Sequence, residues 1–163
     1  MGLLKIDDIG QLKYFDIMNI YRESIIDAAL KTYPNRDRNE ALLLAEQDFY
    51  AYLDQVYFSR KASYMAVWEE KGRWVCALRA EPFKDGYLIT GIETAMNCRR
   101  KGYAKKLLSA LICMQIGPIY SHVFQDNKAS LQLHLTVGFS IFSLNAEFLD
   151  GSFREDAFTL KYI

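Results

Sequence analysis

Near residue 60 the hydrophobic pattern changes period, and that change constrains the fold more than any other feature of the chain. Before it, apolar positions recur at helical spacing. Met18, Tyr21, Ile25 and Ala28 mark one helix over about 10–31, and Leu42, Ala45, Phe49, Leu53 and Val56 mark a second over about 38–58. Tyr33-Pro34-Asn35 separates the two, because proline and its neighbours break a helix. Asp37 with Glu40 has the spacing of a capping box. After the change, Trp74, Cys76, Leu78 and Ala80 alternate with Arg73, Val75, Ala77 and Arg79, the pattern of a half-buried strand. Lys71-Gly72 and Asp85-Gly86 flank it, and glycine accepts the positive φ that tight hairpin turns need. Segments 64–70, 73–84 and 87–96 therefore read as an antiparallel meander.

The helical period returns at Ala104, Leu107, Leu108, Leu111 and Ile112, giving a helix over about 103–115 that Gly117-Pro118 ends. Residues 119–125 read as a strand and 127–137 as a short helix stopped by Gly138. Segments 139–144 and 153–163 read as strands around a turn at Asp150-Gly151, and 3–6 as a short first strand. The order is βααβββαβαββ. Strand 87–96, helix 103–115 and strand 119–125 are long enough for a right-handed crossover between parallel strands. The expected class is α/β: a mixed central sheet flanked by helices. At 163 residues, without repeat or linker, the chain reads as one domain over 1–163.

Charge narrows the functional classes. Twenty Lys+Arg balance twenty Asp+Glu, which argues against a dedicated nucleic-acid binder. The balance is uneven along the chain. Residues 99–106 (RRKGYAKK) hold five basic groups and no acidic one, whereas 1–60 hold 7 basic and 10 acidic groups. The three cysteines are odd in number and lack a CxxC pair, so a reducing, cytoplasmic setting is expected. Two histidines without clustered carboxylates make a metal site unexpected, and no apolar run is long enough to predict a membrane span.

The basic octapeptide lies between a strand and a helix. Gly102 lets backbone approach a ligand without a Cβ in the way, and Ala104 is small for the same reason. N–H groups at a helix start, with the helix dipole, suit a phosphate or pyrophosphate. The glycine spacing fits neither the P-loop nor the dinucleotide pattern. The residues alone leave two readings open: an anion cradle, or a solvated basic helix start.

Arg99-x-x-Gly102-x-Ala104 resembles the Q/R-x-x-G-x-G/A pyrophosphate loop of the GCN5-related N-acetyltransferases. Downstream, Asn127-Lys-Ala-Ser130-Leu-Gln-Leu-His134-Leu-Thr-Val-Gly138-Phe139 is similar to that family's N-x-x-A/S-x-x-L-Y-x-x-x-G-F segment. The resemblance implies acetyl-coenzyme A as donor and direct acetyl transfer to an amine of a small molecule or peptide. By that resemblance, backbone N–H groups from Arg100 through Lys101, Gly102 and Tyr103 to Ala104 hold the pyrophosphate. The Arg99 and Lys101 side chains then lie near phosphate. Backbone around Thr94, Ala95 and Met96 pairs with the pantetheine arm, where this strand splays from 119–125, and an N–H there polarises the thioester carbonyl. Asn127 and Ser130 fall in the segment that meets the same arm or orders itself.

Acyl transfer to an amine needs a base, and the departing thiolate can use an acid. Glu93, on the strand beside the cleft, is the candidate base; its alternative is an ordinary strand carboxylate. His134 stands where the resembled segment has tyrosine, and is the candidate acid or a packed helix residue. Tyr103 and Tyr120 are lesser candidates for the acid. Tyr21, Tyr33, Phe49 and Tyr52 either shape an amine pocket or pack the N-terminal helices on the sheet, the second being favoured. The missing tyrosine also motivates an alternative function, a coenzyme A-binding module without turnover. Dimers are common in such a family, so a homodimer is the protein partner the resemblance suggests.

Overall fold

The structure, a computed structural model, describes residues 2–163. In chain order it comprises β1 (Gly2–Ile6), α1 (Tyr14–Ile20), α2 (Arg22–Thr32), α3 (Arg38–Tyr52), β2 (Tyr64–Glu70), β3 (Arg73–Phe83) and β4 (Gly86–Thr94). Then follow α4 (Tyr103–Met114), β5 (Ile119–Phe124), α5 (Lys128–Thr136), β6 (Ser140–Ser143), β7 (Ala146–Glu147), β8 (Phe153–Arg154) and β9 (Ala157–Tyr162). The main sheet runs β1-β2-β3-β4-β5-β9-β6, and β7 and β8 pair separately. Among the described residues only β4 and β5 pair in parallel. The mixed α/β sheet flanked by helices is the expected class, with three refinements of element order: the short β7 is additional, and two expected elements are each divided. The helix expected over 10–31 is two, broken at Tyr21 (φ −89°, ψ 16°). The strand expected over 153–163 is two short strands parted by a turn.

Alternation along β3 builds two cores. Cys76, Leu78 and Ala80 face Leu107, Leu108 and Leu111 of α4. Trp74 and Ala77 face Ile17, Ile20, Ile25 and Leu53 beneath α1–α3. The expected stripe placed Trp74 with Cys76. A bulge breaks that period: Trp68 and Glu69 of β2 pair with Cys76 and Trp74, leaving Val75 as the extra residue. One added residue reverses the faces on either side of it.

The second helix also departs from its simple period. After Tyr52 the chain widens into one π-type turn over Leu53–Tyr57, with Phe58 N–H donating to Leu53 O at 2.9 Å. The added residue turns Tyr57 inward and leaves Val56 41% exposed. The buried Tyr57 hydroxyl accepts from Ala80 N–H at 2.9 Å and lies 2.5 Å from Tyr64 O, so it serves two strands at once. Tyr57→Phe leaves those buried groups unpaired. It is expected to lower stability by about 2–3 kcal/mol, read as a shifted urea midpoint at unchanged m.

Candidate active site

The sheet opens where its one parallel pair ends. β4 and β5 pair only through Tyr87–Ile89 against Ile119–Ser121. At the closed end, Tyr87 N–H donates to Pro118 O at 3.1 Å. A Cβ on Gly86 would fall 1.9 Å from that same oxygen. Gly86 is thus required for room between strands rather than for the positive φ expected of it; that φ belongs to Lys84 (50°). Beyond Ile89 the strands part, and the β4 backbone facing β5 has no strand partner. A bulge within Thr90–Glu93 adds to the divergence. An extended ligand arm could pair there as a strand would.

The open edge leads into the basic loop. A single 3₁₀ turn, Met96–Cys98, follows β4; Ala95 is buried and still pairs with Val75, while Met96 is exposed. Arg100 (φ 63°) and Gly102 (φ 76°) are both left-handed, the alternation that makes successive amides converge into an anion-binding nest. No N–H from Arg100 to Lys105 donates to a protein group among the described residues. The first helical bond of α4 is Lys106 N–H to Gly102 O, at 3.0 Å. Nothing lies within 4 Å of where a Cβ on Gly102 would stand. The Arg100 and Lys101 side chains are exposed, and Tyr103 opens α4 with Ala104 beside it. A pyrophosphate fits this cradle in charge and in donors.

Arg99, expected near a phosphate, is engaged within the chain. Its guanidinium pairs with Glu23 of α2, and its Nε donates to Thr94 O at 3.3 Å. The chain's own carboxylate is the nearest strong counter-charge, so Arg99 ties the loop to α2.

Glu93 lies on the other side of β4. It is opposite Ala77, on the sheet face that α2 and α3 cover. The Ser24 hydroxyl donates to its carboxylate. Burial pushes the Glu93 carboxyl above the usual range, against the smaller opposing pull of Ser24 and of the nearby Arg79 charge. Glu93 borders a cavity of about 350 Å³ lined also by Tyr21, Ser24, Asp48, Phe49 and Arg79. Tyr21 and Phe49 are therefore cavity walls as well as packing residues, so both alternatives weighed for them hold, although the sequence favours the second.

Arg79, Ser24 and Asp48 were not among the expected site residues. A signal for Arg79 exists: it shares a strand face with Ala77, and β2 supplies Met65 and Val67 opposite them. A face that apolar is covered, so its one arginine cannot simply be solvated. Ser24 and Asp48 carry no such signal, because only the packing of α2 and α3 brings them to Glu93.

Asn127 and Ser130 order the second segment. Asn127 Oδ1 accepts from Ser130 N–H at 3.1 Å and caps α5. His134 is 1% exposed, edge-on to Phe139 with ring centroids 5.1 Å apart. Its Nδ1 lies 2.7 Å from Ser130 O. A carbonyl can only accept, so Nδ1 carries the proton and the neutral ring presents a bare Nε2. That Nε2 is buried with no protein partner. Burial holds the imidazole below its usual pKa. Among the described residues no three His, Cys, Asp or Glu cluster as a metal site. No helix among them is long and apolar enough to cross a membrane.

A splayed parallel strand pair, an amide nest at its mouth and a half-buried carboxylate behind it suit a group-transfer enzyme. The chain belongs to the acetyltransferase (GNAT) family, whose sequence model matches residues 22–139, and it is an acyltransferase. Several solved structures share the fold at low identity. PaiA N-acetyltransferase from Thermoplasma acidophilum, in complex with coenzyme A, is 13% identical, with TM-score 0.62 over 99% of this chain and 98% of that one. Ribosomal-protein-alanine N-acetyltransferase from Brucella melitensis is 17% identical, with TM-score 0.60 over 100% and 99%. The putative acetyltransferase yncA from Salmonella typhimurium, with its cofactor acetyl-CoA, is 17% identical, with TM-score 0.56 over 99% and 94%. No curated protein matches the chain.

Proposed function

We propose that the chain transfers acetyl from acetyl-coenzyme A to a primary amine, with Glu93 as base. The observation that carries this is one strand with two faces of use. The edge of β4 is open beside the nest, while the same strand sets a half-buried carboxylate into a cavity. The nest and the Arg100 and Lys101 charges would hold the pyrophosphate, and free β4 backbone would take the pantetheine arm. In the cavity Glu93 would take a proton from the acceptor ammonium, directly or through one water. The amine lone pair then forms the C–N bond as the C–S bond breaks, the nitrogen sheds its second proton to solvent, and coenzyme A leaves as a thiolate that solvent protonates. A carboxyl lifted by burial is a stronger base than an exposed one once ionised.

For His134 the same reasoning favours a structural role over that of acid. With its proton on Nδ1, donation from Nε2 requires the imidazolium, which burial opposes. A thiol of ordinary pKa, about 8.5, can leave without it. His134→Ala is expected to change kcat by less than about tenfold while lowering stability. The pH dependence of stability carries a second expectation. A lowered folded pKa means that the neutral ring contributes stability above the unfolded value near 6.5, and that it is lost as pH falls through the lowered value. Wild-type stability should thus drop from pH 6.5 to 5, and the slope should be shallower in His134→Ala. A kcat limb that falls as pH rises through the imidazole's own lowered value in the wild type, and is absent from the variant, would instead restore the acid role.

Acetyl transfer is tested by calorimetric titration with acetyl-coenzyme A, followed by thiol release across a panel of amines. Absence of binding at millimolar donor defeats the reading. Binding without turnover on any amine favours the non-catalytic coenzyme A module, the alternative that the histidine at 134 motivates.

A further inference from the structure

We infer that the acceptor is an amine that also carries a carboxylate, and that Arg79 is the carboxylate's partner. This rests on the acetyl-transfer reading of the same cavity. Arg79 projects from β3 into the cavity that holds Glu93. Its guanidinium carbon lies 5.7 Å from the Tyr21 ring centre and 5.8 Å from that of Tyr52. Its Nη sits so close to Gly91 that a Cβ there would be 2.7 Å away. Aromatic rings and bare backbone thus fix the plane of the guanidinium before any ligand arrives.

That fixed group has aromatic neighbours and the Glu93 charge nearby, but no carboxylate bonds its fork. Arg79 Nε is buried and makes no hydrogen bond, and no ion pair among the described residues includes Arg79. Acids stand in the same cavity but are engaged elsewhere: Ser24 donates to Glu93, and Tyr33 donates to Asp48. A half-buried guanidinium with unmade hydrogen bonds carries a desolvation cost that an anion would relieve. Its planar fork matches a carboxylate in two parallel bonds. The cavity therefore offers opposite charges to a small zwitterion, Glu93 toward the ammonium and Arg79 toward the carboxylate. Ile25, Ala28 and Phe49 line the rest, which suits an apolar body between or beside the two. A simple amine or polyamine leaves Arg79 unpaired and meets its repulsion.

The test compares alanine, leucine and phenylalanine, each against the amine that remains when its carboxylate is removed, with thiol release as readout. At least one amino acid should exceed its matched amine in kcat/KM by tenfold or more. In Arg79→Gln that ratio should fall at least tenfold, and Arg79→Lys, which keeps charge but not the fork, should fall between. Equal or reversed preference in the wild type, or a ratio indifferent to Arg79→Gln, overturns the inference; thermal melting of both variants reports their folding. If no amine is acetylated, the acetyl-transfer reading fails and binding decides this one separately. N-acetyl-leucine and N-acetyl-isopentylamine are then titrated into the coenzyme A-loaded protein. Tighter binding of the carboxylate by tenfold or more, lost in Arg79→Gln, supports Arg79 as a carboxylate site. Equal binding, or binding of neither, overturns it.

Discussion

Glu93→Gln is expected to reduce kcat/KM by about 100- to 1,000-fold, the range of a positioned general base, with little change in affinity for acetyl-coenzyme A. The amide keeps the volume and can still accept from Ser24, so the cavity should persist. In the wild type, kcat/KM should rise with pH through a value above that of an exposed glutamate, since burial lifts this carboxyl. The variant should lose that limb. Stability should move the other way. A carboxyl whose folded pKa is raised contributes stability below its unfolded value and loses it as pH climbs through the folded value. Glu93→Gln should therefore melt higher than wild type at pH 8, with the gap closing at pH 4. A variant at once inactive and more stable at high pH marks a group held for chemistry; equal activity at pH 8 would refute the base.

Gly102→Asp is expected to raise the apparent Kd for acetyl-coenzyme A by about 10- to 150-fold. The figure follows from losing charge-assisted bonds worth about 1.5–3 kcal/mol to a donor cradle. Gly102 stands at φ 76° with open space above it. Aspartate is among the non-glycine residues most tolerant of that region, so the fold should survive. Its carboxylate would sit where the nest expects the diphosphate and would cancel part of the Arg100 and Lys101 charge. Calorimetry reads the loss directly, and the melting curve of the ligand-free variant separates it from unfolding. Unchanged affinity would move the coenzyme away from this loop.

The period change near residue 60 and the glycine-bearing octapeptide made the meander, the crossover and the nest legible in the chain. What escaped the sequence were single-residue slips. The bulge at Val75, the π-type turn before Phe58 and the break at Tyr21 each shift which residue meets the core. Each is held by a tertiary partner: Tyr57 by two strands, Tyr21 by the Gly91 carbonyl at 2.8 Å. Local periodicity cannot report a partner dozens of positions away. Glu93 was legible because it follows a strand to its open end. Arg79 was not, because strand alternation reads a charge as facing water unless the covering helices are also weighed. The contact of Arg99 with Glu23 was hidden for a like reason: the two lie 76 positions apart in sequence.

Glu23 and Ser24 are consecutive residues of α2, one gripping the coenzyme-side loop through Arg99 and the other gripping Glu93. On the proposed reading, one helical turn is therefore shared by both halves of the reaction. A phosphate that draws Arg99 from Glu23 loosens the same turn that steadies the base, and linkage makes any such effect reciprocal. Donor and acceptor affinities then cannot be set independently, and the two substrates should shift each other's binding constants by equal factors.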